Sequence, residues 1–191
     1  MEPIFTLPYS EFCVAQQLAR LLPAAEGYSL YVPVSRQQPG VDLLIARRLK
    51  QRTGVASIQV KSSRPYPQPK PTGRTKKKTF RYESSFPNFE CPSEADFFCL
   101  VWFYPAVNKA QRRELGTWWE PQILLFSQTE MRRFLRSVRT VGGKKDSRFY
   151  FGFNQAGEAF QTRGDPKGRY GDFSKHLLSR RLTELRRFLS S

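Results

Sequence analysis

Val41-Asp42-Leu43-Leu44-Ile45-Ala46-Arg47 and Val55-Ala56-Ser57-Ile58-Gln59-Val60-Lys61-Ser62 flank a polar stretch, Leu49-Lys50-Gln51-Arg52-Thr53-Gly54. Both runs are rich in aliphatic and β-branched residues, and the stretch between them closes on glycine, so the three read as a β-hairpin. A hairpin centred there pairs residues whose numbers sum to about 103, which sets Asp42 opposite Lys61 and next to Gln59. Alternate side chains of a strand share a face, so Ile58 and Val60 point one way while Gln59 and Lys61 point the other. Asp42, Gln59 and Lys61 are therefore expected to converge from two neighbouring strands.

Working outward, the chain before the hairpin reads as a helix over 11–22 followed by an extended segment over 28–34. Ser10 caps the helix and Pro23 stops it. Phe12, Ala15, Leu18, Ala19 and Leu22 recur at helical spacing as its buried stripe, with Glu11 at the inward edge. Beyond the hairpin, 96–104 reads as a central strand that is apolar on both faces. A strand over 121–126 runs into the capping box Ser127-Gln128-Thr129-Glu130, which opens a helix to about Val138. Trp118 and Trp119 precede that strand and read as core or rim packing in preference to base-stacking platforms. Another strand covers 148–153, and a last helix, starting at Asp172 or Ser174, turns Leu178, Leu182, Leu185 and Leu189 inward. Arg180, Arg181, Arg186 and Arg187 occupy its other faces, either as a solvated surface or as a phosphate-contacting one.

Between the hairpin and the central strand the composition changes. Pro65, Pro67, Pro69 and Pro71 alternate and are followed by a dense run of cations. This 64–81 stretch is expected to be a stiffened basic arm. Tyr66, Phe80 and Tyr82 interleave with Arg64, Lys70, Arg74, Lys76, Lys77, Lys78 and Arg81, a composition suited to phosphate contact.

The whole chain carries 32 Lys and Arg against 16 Asp and Glu, a net charge of +16 over 191 residues. Such a surface repels itself unless a polyanion neutralises it, so nucleic acid is the expected partner. Hydrophobic residues at 39% supply a core, and the length suits a single domain over 1–191. No apolar run approaches the ~20 residues of a spanning helix, so no membrane partner is expected. Glu2 and the absence of a basic n-region argue against a signal peptide. Three scattered cysteines suit neither a disulfide framework nor a zinc site, and the expected compartment is the cytoplasm. A single histidine rules out schemes that need two, and no phosphate-binding Gly-x-x-x-x-Gly-Lys-Ser/Thr loop is present.

The chemistry left to such a chain runs on carboxylates, lysine and a metal. Phosphodiester hydrolysis needs an activated water and relief of charge on a pentavalent phosphorus, and a divalent cation with a nearby lysine serves both needs. Asp42 is the candidate metal ligand, Gln59 offers its amide oxygen, the Val60 carbonyl completes the set, and Glu11 projects from the first helix. Hard oxygen donors of this kind suit Mg²⁺ or Mn²⁺.

A helix bearing Glu11, then Gly40-Val41-Asp42-Leu43-Leu44-Ile45, then Ile58-Gln59-Val60-Lys61-Ser62-Ser63 resembles the PD-(D/E)XK nuclease superfamily, in the branch whose second acid gives way to Gln-x-Lys. The resemblance covers roughly residues 8 to 63. It implies an α/β fold with a restriction endonuclease-like αβββαβ core, a mixed sheet flanked by helices, into which the basic Pro-rich arm is inserted. It also implies that Asp42 is the first acid, Gln59 stands at the second, Lys61 is the lysine and Glu11 the helix acid of a Mg²⁺-dependent DNA endonuclease. Many such enzymes act as homodimers. Val41 stands where the pattern has proline, and Gln59 removes one negative charge. The rival expectations are a catalytically inactive nuclease-fold protein that binds DNA or RNA, and an assembly protein that uses the basic surface on an acidic partner.

Overall fold

The computed structural model describes residues 9–33, 40–67, 82–105, 119–153, 157–165, 167 and 171–191. Its central element is a five-stranded mixed sheet in the order β1-β2-β3-β6-β7. These strands span Tyr28–Tyr31, Leu43–Arg48, Thr53–Ser62, Phe97–Pro105 and Trp119–Ser127. β1, β2 and β3 form an antiparallel meander, β6 runs parallel to β3, and β7 returns antiparallel to β6. β6 reads as a continuous apolar run because it is covered on both sides, and Phe97 through Trp102 are each at most 1% exposed.

The hairpin forms where expected, but its centre differs. Leu43 pairs with Ile58 and Arg48 with Thr53, so partner numbers sum to 101 and not 103. The Leu49 amide closes the turn onto the Arg52 carbonyl at 2.8 Å, leaving a tighter connection than the polar stretch suggests. A slip of two keeps every side chain on its face, whereas a slip of one would have inverted the strand. Asp42 consequently stands beside Gln59, with Lys61 two residues further on.

Among the described residues three helices pack on this sheet: α1 (Tyr9–Leu21), α2 (Gln128–Ser137) and α3 (Leu178–Phe188). Helices α1 and α3 cover one face, packing Val14, Leu18, Leu178 and Leu185 on Leu43, Ile45, Ile58, Val60 and Cys99. The buried face of α1 is rotated from the expected stripe. Ser10, Glu11, Cys13, Val14 and Leu18 are buried, while Phe12 is 50% exposed. A spacing of three and four through Glu11, Val14, Leu18 and Leu22 satisfies helical periodicity as well as the aliphatic set does. α3 keeps its expected inward leucines, and a 3-10 turn over Ser174–His176 precedes it. Two of its arginines are spent internally: Arg181 pairs with Glu130 and Glu184, and Arg186 with Glu26. Gly54 lets the end of this helix dock on the hairpin, since a Cβ there would fall 2.0 Å from the Leu189 carbonyl oxygen.

The other face is covered by α2 and by a second sheet that the sequence did not announce. Its strands, in the order β4-β5-β8-β9, span Pro65–Pro67, Tyr82–Pro87, Arg148–Phe153 and Ala159–Arg163, and all pair antiparallel. Phe86, Phe149, Phe151 and Phe153 meet Phe98, Leu100 and Trp102 of β6 in an aromatic core. Between β3 and β6 the described residues form β4, β5 and the loops beside them, and none of these described residues is helical, where the αβββαβ order implies a helix. Prolines at both ends of β4 blunt that sheet edge. The capping box of α2 is present in both directions, with the Ser127 hydroxyl accepting from the Glu130 amide and the Ser127 amide donating to the Glu130 carboxylate.

His176 is 5% exposed and stacks 4.3 Å from Phe126. Burial holds it below the ordinary value of 6.5, outweighing the pull of Glu130. Below 6.5 the unfolded chain takes up a proton that the folded one resists, so stability is expected to fall as pH drops through that value. Above it both states are neutral and the effect vanishes. His176→Phe should flatten this acid limb in chemical denaturation curves, and an unchanged limb would assign it elsewhere.

Candidate active site

The C-terminal half of β3 alternates apolar and polar residues, and the two faces have different fates. Ile58 and Val60 enter the core under α1, while Gln59 and Lys61 share the face of their β6 partners Phe98 and Leu100. Near this end of the strand the second sheet stands away from the first. The gap is a cleft of about 660 Å³ lined by Gln59 and Lys61 on one side and by residues 85–92 on the other. Ser63 pins the two walls together, its hydroxyl donating to the Ser85 carbonyl at 2.7 Å and accepting from the Ser85 amide at 3.1 Å.

Asp42 is delivered to the same strand end by Gly40. That glycine has φ +91°, and a Cβ on it would lie 2.9 Å from Pro92, so a side chain would strain the turn that leads into β2. The Asp42 amide donates to the Ile58 carbonyl at 2.9 Å, and Asp42 Oδ2 accepts the Val60 amide at 2.7 Å. These two bonds bracket Gln59 and replace the strand ladder where β2 parts from β3. Burial pushes the Cys99 thiol up, and the nearby Asp42 charge adds to that.

Gln59 is the unusual member. It is 5% exposed, and its Oε1 has no hydrogen-bond partner among the described residues. A buried acceptor left unmet costs about 1–3 kcal/mol, and of the atoms in that condition among the described residues this one belongs to a residue that lines the cleft. Lys61 is exposed and makes no ion pair among the described residues.

Glu11 is buried, at 8% exposure. It does not line the cleft. It belongs to α1, on the Val60 face, near the same end of the sheet, where Tyr9 of the first helical turn packs 4.8 Å from Phe103 of β6. The expected set is thus brought together in part: Gln59 and Lys61 share the cleft, Asp42 flanks them, and Glu11 approaches from the other face. Of the expected phosphate contacts, Arg64 is exposed between β3 and β4, whereas Lys70, Arg74, Lys76, Lys77, Lys78 and Arg81 lie outside the described residues. Trp118 and the Trp119 side chain lie outside them as well.

The far wall of the cleft, with Glu90 and Cys91, was missed in the sequence reading. Its one local signal is Phe86-Pro87-Asn88, where Asn88 adopts φ +47° and turns the chain across the opening. Among the described residues no cluster of three or more His, Cys, Asp and Glu side chains is placed to hold a metal, and no helix is long and apolar enough to cross a membrane. The mixed donor set of Asp42, the Gln59 amide oxygen and a strand carbonyl nonetheless consists of the hard oxygens that Mg²⁺ and Mn²⁺ prefer. Set against protein-family models, curated proteins and solved structures, the chain matches none of them.

Proposed function

We propose that this chain is a metal-dependent DNA endonuclease of the restriction endonuclease-like type, with Asp42, Gln59 and Lys61 at its active site. The observation that carries the reading is the unpartnered, buried Gln59 Oε1 beside Lys61 in an open cleft, with Asp42 fixed on the adjoining strand. Asp42, Gln59 Oε1 and the Val60 carbonyl would hold one Mg²⁺ or Mn²⁺, which when bound supplies Lewis acidity at the scissile phosphate. Lys61 places a mobile ammonium in the cleft, where it orients the attacking water and offsets the negative charge that grows on the phosphoryl oxygens. Asp42 keeps its geometry through Val60, so the donor set is built before substrate arrives. The surplus of 16 positive charges draws the polyanionic substrate to the protein.

The test is incubation of supercoiled plasmid and of branched DNA with the full chain in Mg²⁺ or Mn²⁺. Nicking or linearisation supports the reading. Salt-dependent binding without cleavage in either metal would replace it with a nuclease-fold binding module, a reading favoured by the neutral Gln59 and by Glu11 lying on the other face.

Gln59→Glu provides an independent check on the metal. Restoring a carboxylate adds a full negative charge to the donor set, so Mn²⁺ is expected to bind about tenfold tighter by titration calorimetry. The same variant should melt lower without metal, because its added charge is buried and uncompensated. Unchanged Mn²⁺ affinity would remove Gln59 from the metal site.

A further inference from the structure

The outward face of the second sheet carries side chains that the proposed reaction does not use. Ser85 on β5 pairs with Tyr150 on β8, and Tyr150 pairs with Arg163 on β9. Direct partners stand about 5 Å apart, so these three form a row running straight across the sheet. Ser85 is already a wall of the cleft that holds Lys61. At the other end of the row, Tyr150 and Arg163 line a second groove of about 600 Å³ together with Arg139 and Thr140. The row thus runs from the rim of the cleft, at Ser85, to this second groove.

The charge on that face is mainly positive. Arg148 lies two residues before Tyr150 on the same side of β8 and is exposed. Arg163 is 45% exposed and sits 5.3 Å over the Tyr150 ring, while it pairs with Asp146 at 3.1 Å. Burial would raise the Tyr150 phenol, but Arg148, Ser85 and Arg163 together hold it below its usual value. Lys145 pairs with Arg139 through the backbone beside the groove, with Lys144 next in the chain. The opposing carboxylates are Asp146, Asp165 and Glu83, and burial shifts Glu83 toward its neutral form. The same sheet also anchors the basic arm, since Pro67 pairs with Tyr82 at its two ends.

We propose that this face is a DNA track: a duplex engaged in the cleft continues across β5, β8 and β9, with backbone phosphates on Arg148 and Arg163 and, at the far groove, on Arg139. The direction of the track rests on the nuclease reading, since it is the cleft that gives it a starting point. Arg163 at the end of the row and Arg148 two residues along β8 offer forked donors to phosphate oxygens, with the Ser85 and Tyr150 hydroxyls beside them.

The test uses the full chain, a fluorescein-labelled DNA duplex and Ca²⁺ or EDTA, so that binding is read without cleavage. Arg139→Ala/Arg148→Ala is compared with wild type and with Lys50→Ala, which lies in the hairpin turn at the opposite end of β3. Each phosphate contact contributes about 0.9 to the slope of log affinity against log salt, so the double variant should lose about two units of slope between about 50 and 200 mM salt. Its affinity at the upper salt should fall about tenfold, with thermal melting and the Lys50→Ala slope unchanged. An unaltered slope in the double variant overturns the track, as does a wild type that does not bind duplex. A slope that changes for single-stranded RNA but not for duplex DNA overturns it too. Absence of cleavage in Mg²⁺ or Mn²⁺ strikes the nuclease reading alone, because the binding slopes are measured independently of chemistry.

Discussion

Lys61→Met is expected to lower DNA cleavage by about 10³-fold while duplex binding in Ca²⁺ stays within a factor of two or so of wild type. Lys61 is exposed and unpaired among the described residues, so its removal leaves no buried group unmet and melting should not move. Lost activity in that variant therefore reads chemistry and not folding. About 10³ in rate is roughly 4 kcal/mol of transition-state stabilisation, a reasonable share for one cation facing a developing phosphoryl charge. Asp42 needs a more careful substitution, because its Oδ2 also accepts the Val60 amide at 2.7 Å. Asp42→Ala would orphan that amide, at a cost of about 1–3 kcal/mol, and mix stability with activity. Asp42→Asn keeps a carbonyl oxygen for Val60 and removes only the charge, so it should lose cleavage and Mn²⁺ affinity with little change in melting. A Lys61→Met protein that cleaves like wild type would take Lys61 out of the reaction.

Trp102→Ala is expected to cost about 3–5 kcal/mol in chemical denaturation. The indole is fully buried and lies 3.9 Å from Phe153, 6.4 Å from Phe151 and 6.3 Å from Phe86, all residues of the second sheet. With Phe98 and Leu100 it joins the central sheet to the aromatic core, and its loss opens a cavity between two layers that cannot easily collapse. Trp102 Nε1 finds no acceptor among the described residues, so the wild-type ring already carries a penalty. Trp102→Phe should accordingly cost much less than the alanine, because it keeps ring contacts and discards the unmet donor. Since Ser85 and residues 86–92 form the far wall of the cleft, Trp102→Ala should also weaken DNA binding before it unfolds the protein. A loss below about 1 kcal/mol would mean that the second sheet is held by other contacts.

What the chain discloses on its own is set by local periodicity. Alternation through Ile58, Gln59, Val60 and Lys61 assigns the faces of β3, and the unbroken apolar run of β6 marks it as central. The Ser127–Glu130 box marks the start of α2 because a cap is a contact over three residues. Even the misjudged hairpin centre left Asp42, Gln59 and Lys61 on one side, since an error of two preserves the faces of a pleated strand. Tertiary structure decided the rest. Tyr82-Glu83-Ser84-Ser85-Phe86-Pro87 becomes a strand by pairing with β4 and β8, and Ala159-Phe160-Gln161-Thr162-Arg163 by pairing with β8, so no property of either segment alone announces a second sheet. The rotation of α1, which exposes Phe12 and buries Glu11, follows from the surface the helix lands on and not from its own pattern. Whether Glu11 and Gln59 meet depends on which face of the sheet each element covers, a relation between segments far apart in the chain. That the Gln59 oxygen is buried without a partner is likewise a property of the packed layers, because partners brought by folding are invisible until those layers meet.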